Sequence, residues 1–271
     1  MPGRPDMLSG RDGSAIAYHR SPGTGPGVLF LPGFMSNMEG AKATALETWC
    51  RTHGRAFLRF DYFGHGQSGG RFEDGSIGRW TEDVTLVLDR LTDGPQILVG
   101  SSMGGWLMLL TALARPGRIA GLLGIAPAPD LTEKLLWRQL SPSDRERIKR
   151  LGKIWQTSAY SQSPYTITWQ LIVEGRNHLL LDRQIPVSSP VRLLHGMRDV
   201  DVPWEISLRL AERLAGDDVR VILVKDGDHR LSRTTDILLL IETLLELSHA
   251  VTCRGQVPAL AIDRQSADAG R

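Results

Sequence analysis

The sequence predicts an α/β protein: a mostly parallel, doubly wound sheet with an inserted helical cap. Three observations carry this. Short apolar β-type runs alternate with amphipathic helical stretches up to residue 129 and again after Pro190, as in a parallel sheet covered on both faces. Residues 130–185 interrupt the alternation, being richer in charge, Trp and Tyr and without a strand pattern. A serine flanked by glycines stands between a buried strand and a helix in QILVGSSMGGWLMLL, residues 96–110.

The elements follow in order. Ala15–His19 reads as a strand after the Asp12-Gly13 turn. Val28–Leu31 is a buried strand ended by Pro32-Gly33, and Leu46, Trp49 and Cys50 lie at helical spacing beyond it. Ala56–Phe60 is the next strand, leading into Asp61-Tyr62-Phe63-Gly64-His65-Gly66. Trp80, Val84, Val87, Leu88 and Leu91 mark one face of a helix. Ile97–Val99 is a strand, Gly104–Ala114 a largely buried helix, and Leu122–Ala126 another strand. Asp130-Leu131-Thr132-Glu133 fits a capping box that opens the cap. Later, Val191–Leu194 and Val219–Val224 read as strands. Ile206, Leu210 and Leu214 mark one helix, and Ile237, Leu240, Ile241, Leu244 and Leu245 the last. The expected division is a core of residues 1–129 and 186–251 around a cap of residues 130–185. Residues 252–271 are polar and aperiodic, and are expected to be a disordered tail.

Bulk properties narrow the function. The 271 residues are 41% hydrophobic, enough for a sizeable core, and the net charge of +2 comes with scattered basic residues that point to no nucleic-acid partner. Two distant cysteines, Cys50 and Cys253, make neither a disulfide framework nor a metal site. The opening MPGRPDMLSG has neither the apolar region nor the Arg-rich amphipathic pattern of a targeting segment. The apolar runs are too short for a membrane span. The expectation is a cytoplasmic protein, monomeric or homodimeric, without integral membrane association.

In a parallel sheet of this kind the chemistry gathers beyond the carboxyl ends of the strands. A serine hydroxyl needs a base and an exposed, strained turn to act as a nucleophile, and the residues two before and two after the apex must be small. Ser102 has Gly100 and Gly104 at those positions; Ser101 has Val99 and Met103. Ser102 is therefore the candidate nucleophile. His229, on the loop between the last strand and the last helix, is the candidate base, ahead of His195 and His65, which read as fixed in or bracing their loops. Asp199 is the candidate acid, with Asp201 as the near alternative. Asp130 reads as a cap residue, and Asp226 and Asp228 as turn residues. The backbone N–H groups of Met103 and Phe34 are the candidate oxyanion donors. Trp137, Trp155, Tyr160, Tyr165 and Trp169 crowd the cap. Trp137, Trp155 and Trp169 are taken as candidate substrate contacts for an apolar acyl chain, against the plainer reading that they form the cap's own core. Arg138, Arg147, Arg150 and Arg176 could meet a carboxylate or simply form a solvated face.

The segments LPGF, FDYFGHGQSGG, GSSMGG, HGMRDVDVP and GDHR, in this order along nearly the whole chain, resemble the α/β-hydrolase superfamily. GSSMGGWLMLL, LLHGMRDVDVPW and VILVKDGDHRLS more closely resemble its mitochondrial abhydrolase-domain enzymes, palmitoyl-protein thioesterases and mycophenolic acid acyl-glucuronide esterases. That resemblance implies a serine esterase or thioesterase on small acyl esters or acylated proteins. It carries over Ser102 as nucleophile, Asp199 as acid and His229 as base, and implies no metal or cofactor. The same fold also supports C–C bond hydrolases, lipases, perhydrolases and catalytically silent scaffolds.

Overall fold

The computed structural model describes residues 3–158 and 161–256. Strands β1 (Asp6–Ser9), β2 (Ala15–Ser21), β3 (Thr24–Leu31), β4 (Arg55–Phe60), β5 (Gln96–Ser101) and β6 (Ile119–Ile125) precede the insertion. Two further strands of the same sheet, β9 (Val191–Gly196) and β10 (Val219–Val224), follow it. They form an eight-stranded sheet in the order β1-β2-β4-β3-β5-β6-β9-β10. β2 runs antiparallel to β1 and β4, and the other pairings are parallel. This is the α/β-hydrolase architecture the sequence predicts.

The strands read as unbroken apolar runs because both of their faces are buried. Leu29, Leu31, Leu58, Phe60, Leu98 and Leu193 pack with Trp80, Val84 and Val87 of α2 (Ile77–Leu91) and with Trp106 and Leu107 of α3 (Met103–Ala114). The alternate residues Val28, Phe30, Phe57, Ile97, Val99 and Leu194 pack with Leu46 and Cys50 of α1 (Ala41–Thr52) and with Leu240, Leu244 and Leu247 of α7 (Thr234–Gln256). Helix α6 (Glu205–Arg213) joins the first of these cores through Leu210.

The structure departs from the sequence reading in four places. β1 was not expected; it is a short, mostly exposed edge strand with no apolar run to announce it. The insertion holds a π-helical segment at Leu131–Trp137, then α4 (Pro142–Leu151) and α5 (Trp169–Gly175). It also holds an antiparallel hairpin of β7 (Lys153–Ser158) and β8 (Ser161–Thr168), where no strand was expected. Among the hairpin's described side chains the buried apolar ones are the facing pair Ile154 and Ile167, too few for a strand signal.

The third departure is Asp130. Its backbone is left-handed (φ 60°) and its side chain caps nothing in the segment it opens. Its two carboxylate oxygens instead accept the N–H groups of Leu180 (2.7 Å) and Leu181 (3.1 Å), fifty residues on. The entrance and exit of the insertion are thus tied at one buried carboxylate. Finally, α7 continues to Gln256, so residues 252–256 are helical and Cys253 is an exposed helix residue. The rest of the expected tail, 257–271, and Tyr160 lie outside the described residues.

Candidate active site

β5 ends at Ser101 and α3 begins at Met103, which leaves Ser102 alone at the turn with φ 54° and ψ −120°. A side chain at positive φ is strained and persists only where its surroundings enforce it. Here Ser102 N–H donates to Ile125 O (2.9 Å), and Ser102 O accepts from Gly105 N–H (2.9 Å) and Ala128 N–H (3.0 Å). The flanking glycines are required by space: a Cβ on Gly100 would lie 2.4 Å from Gly104 O, and one on Gly104 would lie 2.1 Å from Leu31 O. Ser101 stays in β5, paired with Ile125 and buried.

The loop between β10 and α7 carries His229 to this turn. Its Nε2 lies 3.1 Å from Ser102 Oγ, and its Nδ1 lies 2.7 Å from Asp199 Oδ2. The carboxylate only accepts, so the network places the imidazole proton on Nδ1 and turns the Nε2 lone pair to the serine hydroxyl. Asp199, on the loop after β9, has no exposed side-chain surface. Its Oδ1 accepts from Asp201 N–H (2.9 Å) and Val202 N–H (2.8 Å). Its Oδ2 also accepts from His195 Nε2 (3.2 Å), whose Nδ1 is held 2.7 Å from Ser207 Oγ. Burial alone would lift the Asp199 carboxyl; the hydrogen bonds from His195 and His229 overcome it and hold the group well below the usual carboxylate range. The sequence alternative, Asp201, contributes its backbone N–H to Asp199, and burial raises its own carboxyl. Asp199, Asp201 and His229 bring ligand-type atoms within 4.8 Å of one another, yet both Asp199 oxygens are already occupied by N–H donors. That set is organised for hydrogen bonding rather than for a metal.

The loop after β3 closes the other side. A Cβ on Gly33 would lie 3.3 Å from Ser102 Cβ, so this backbone runs directly against the serine. Met35 there also has positive φ (52°). Phe34 N–H has no acceptor among the described residues. Met103 N–H opens α3, where first-turn donors lack intrahelical partners and the helix end is positive. The Phe34 ring is fixed edge-on by Phe72 (5.1 Å), Tyr165 (6.0 Å) and Trp80 (6.2 Å).

Ser102 and His229 open on a cleft of about 410 Å³, whose walls include Phe34, Met35, Lys42 and Tyr165. The three tryptophans expected there are not part of it. Trp137 and Trp169 pack on each other (5.4 Å) and on the small apolar core of Leu140, Ile148 and Ile154, while Trp155 points outward. The insertion needs its own core, and its largest rings supply it. The arginines also lie elsewhere: Arg176 pairs with Glu133 and covers the two tryptophans, and Arg147 pairs with Asp144. Tyr165 is the one described cap residue on the cleft. It stood among the cap aromatics in the sequence, with nothing to set it apart. Lys42 and the His195 bond to Asp199 carried no sequence signal either.

A family model described as serine aminopeptidase, S33, matches residues 27–174. The mitochondrial palmitoyl-protein thioesterase ABHD10 of Rattus norvegicus is 47% identical over 247 residues, 90% of this chain and 80% of its own. The structure of alpha/beta hydrolase domain-containing protein 10 from mouse superposes with a TM-score of 0.84 at 42% identity, covering 92% of this chain and all of that one (100%). A crystal structure from Agrobacterium vitis S4 superposes with a TM-score of 0.87 at 36% identity, with the same shares covered (92% and 100%). ABHD10 is named as mitochondrial in Rattus norvegicus, Bos taurus, Mus musculus, Pongo abelii and Homo sapiens alike. These relatives overturn the cytoplasmic setting expected from the opening residues. No helix among the described residues is long and apolar enough to cross a membrane. By the family match, the relatives and the fold together, the chain belongs to the S33 serine hydrolases of the α/β-hydrolase superfamily.

Proposed function

We propose that Ser102, Asp199 and His229 hydrolyse carboxylic ester or thioester bonds of acyl substrates by two-step acyl transfer. The observation that carries this is the continuous chain from Ser102 Oγ through His229 to Asp199, at 3.1 and 2.7 Å. Ser102 Oγ attacks the acyl carbonyl as its proton passes to His229 Nε2. Asp199, held ionised, stabilises the imidazolium. Phe34 and Met103 N–H groups receive the oxyanion, which needs donors in place before charge develops. His229 then returns the proton to the departing alcohol or thiol, and a water repeats the attack on the acyl-enzyme. All three side chains come from one copy of the chain, so the reading holds for a monomer or a homodimer.

Residues 130–185 act as the cap, with Tyr165 against Phe34 giving the cleft an aromatic wall suited to an apolar acyl chain. The palmitoyl-protein thioesterase relatives favour thioester-linked long acyl chains as substrates, on a small thiol or on a protein. The complete set of three side chains disfavours a silent scaffold. A serine-directed fluorophosphonate tests the reading. It should label the wild-type protein and not Ser102→Ala, while Ser101→Ala still labels. Ser102→Ala should also lower kcat on a thioester by about 10⁴ or more. Labelling that survives Ser102→Ala would sink the assignment.

A further inference from the structure

We propose that Lys42 marks a subsite for an anionic group, a carboxylate or phosphate, on the leaving-group side of the cleft. The inference rests on the acyl-transfer reading of Ser102 and His229. Lys42 lies in the first turn of α1 and lines the same cleft as those two residues. Its Nζ donates to the backbone carbonyl of Arg230, the residue after His229. In acyl transfer His229 must face the leaving group, because it hands that group its proton. A cation anchored one residue from His229 therefore stands beside the leaving group rather than the acyl chain.

Lys42 is the one described lysine on the cleft, and its Nζ is held by a carbonyl rather than by a carboxylate. Lys134, Lys149 and Lys153 each pair with a carboxylate. Lys42 is partly buried and forms no ion pair among the described residues. A carbonyl partner offsets only part of the cost of drawing an ammonium out of water, and a bound anion would supply the rest. The surroundings suit an anion. The first turn of α1 holds no acidic residue, and no side chain caps its N–H groups. Ser36, Asn37 and Ser232 line the cleft with it and offer neutral donors.

Burial lowers the Lys42 ammonium to about 8, against the pull of Asp228 on the His229 loop and Asp236 on α7, with Arg230 pushing the same way as burial. Among the described residues these groups act on it, and His229 lines the same cleft. The cation is therefore present at neutral pH and lost as pH rises through that value.

The test uses two octanoyl esters with matched leaving phenols, 4-hydroxyphenylacetate and its neutral amide, and reads the ratio of their kcat/KM values. The wild type should favour the carboxylate by about tenfold, the scale of one charge-assisted hydrogen bond. Lys42→Met should bring the ratio near one, and Lys42→Arg should keep most of it. Equal losses on both esters would mean that Lys42 only props the His229 loop, and would overturn the proposal. The wild type gives an arm that needs no variant to fold: its ratio should fall as pH rises through about 8, and a flat ratio also overturns the proposal. A protein that labels with fluorophosphonate and turns over both esters without preference refutes the subsite alone. One that neither labels nor turns over either ester refutes the underlying reading.

Discussion

Asp199 shows how much of the site depends on a single buried side chain. It receives four N–H donors, from Asp201, Val202, His195 and His229, with no side-chain surface exposed to water. Its folded carboxyl is depressed, so its stabilisation is present above the unfolded value of about 3.9 and is lost as pH falls below it. Asp199→Asn should lack this part. The stability gap between wild type and variant, measured by urea unfolding, should narrow from pH 6 to pH 3; a gap that stays constant would contradict the assignment. The same variant should lower kcat by about 10⁴, because an amide neither holds the Nδ1 tautomer nor stabilises the imidazolium. Ser102 was legible because steric demand at two flanking positions admits only glycine, a rule written in adjacent letters. Asp199 and His229 followed from strand ends. That His195 is fixed in its loop was legible, but its bond to the Asp199 carboxylate and the bond of Lys42 to the Arg230 carbonyl were not, because such a bond leaves no mark on the residue types that make it.

Among the elements, the turn between β5 and α3 is the most constrained. Gly104→Ala would drive a methyl into Leu31 O, 2.1 Å away, where backbone rather than a movable side chain must give way. The expected loss is about 1–3 kcal/mol of stability by urea unfolding. Activity should fall further, since the displaced strand carries the Pro32–Phe34 loop. An alanine here that leaves both stability and activity unchanged would mean the turn is looser than its contacts indicate. The core strands could be read because each buries two apolar faces. The β7–β8 hairpin could not, because the buried apolar residues among its described side chains are one facing isoleucine pair. Asp130 misled for a local reason: its neighbours spell a capping box, but its carboxylate bonds to residues fifty positions away.

At the scale of the whole molecule, core and insertion divide the work. The core supplies Ser102, Asp199 and His229, and the backbone N–H groups of Phe34 and Met103 proposed as oxyanion donors. Among the described residues the insertion supplies the cleft with Tyr165 alone. Tyr165→Ala should therefore raise KM for long-chain esters by up to about tenfold, the scale of a lost apolar contact. Trp169→Phe should lower the melting temperature without shifting KM. Michaelis curves over a chain-length series decide between them, and the opposite pattern would restore the tryptophans to the cleft. The architecture was legible from the alternation of strands and helices. The cap's inner packing was not, because aromatic residues that fill a small core and those that line a cleft look alike in sequence.

The Asp130 tie has a consequence for the history such a fold can have. Both ends of the insertion meet at one carboxylate, next to where β6 already pairs with β9. Everything between them is a detour that starts and finishes at the same point. A lineage can lengthen, shorten or exchange that detour without altering a single rung of the sheet. Substrate choice can drift in this way while the hydrolytic apparatus is inherited unchanged.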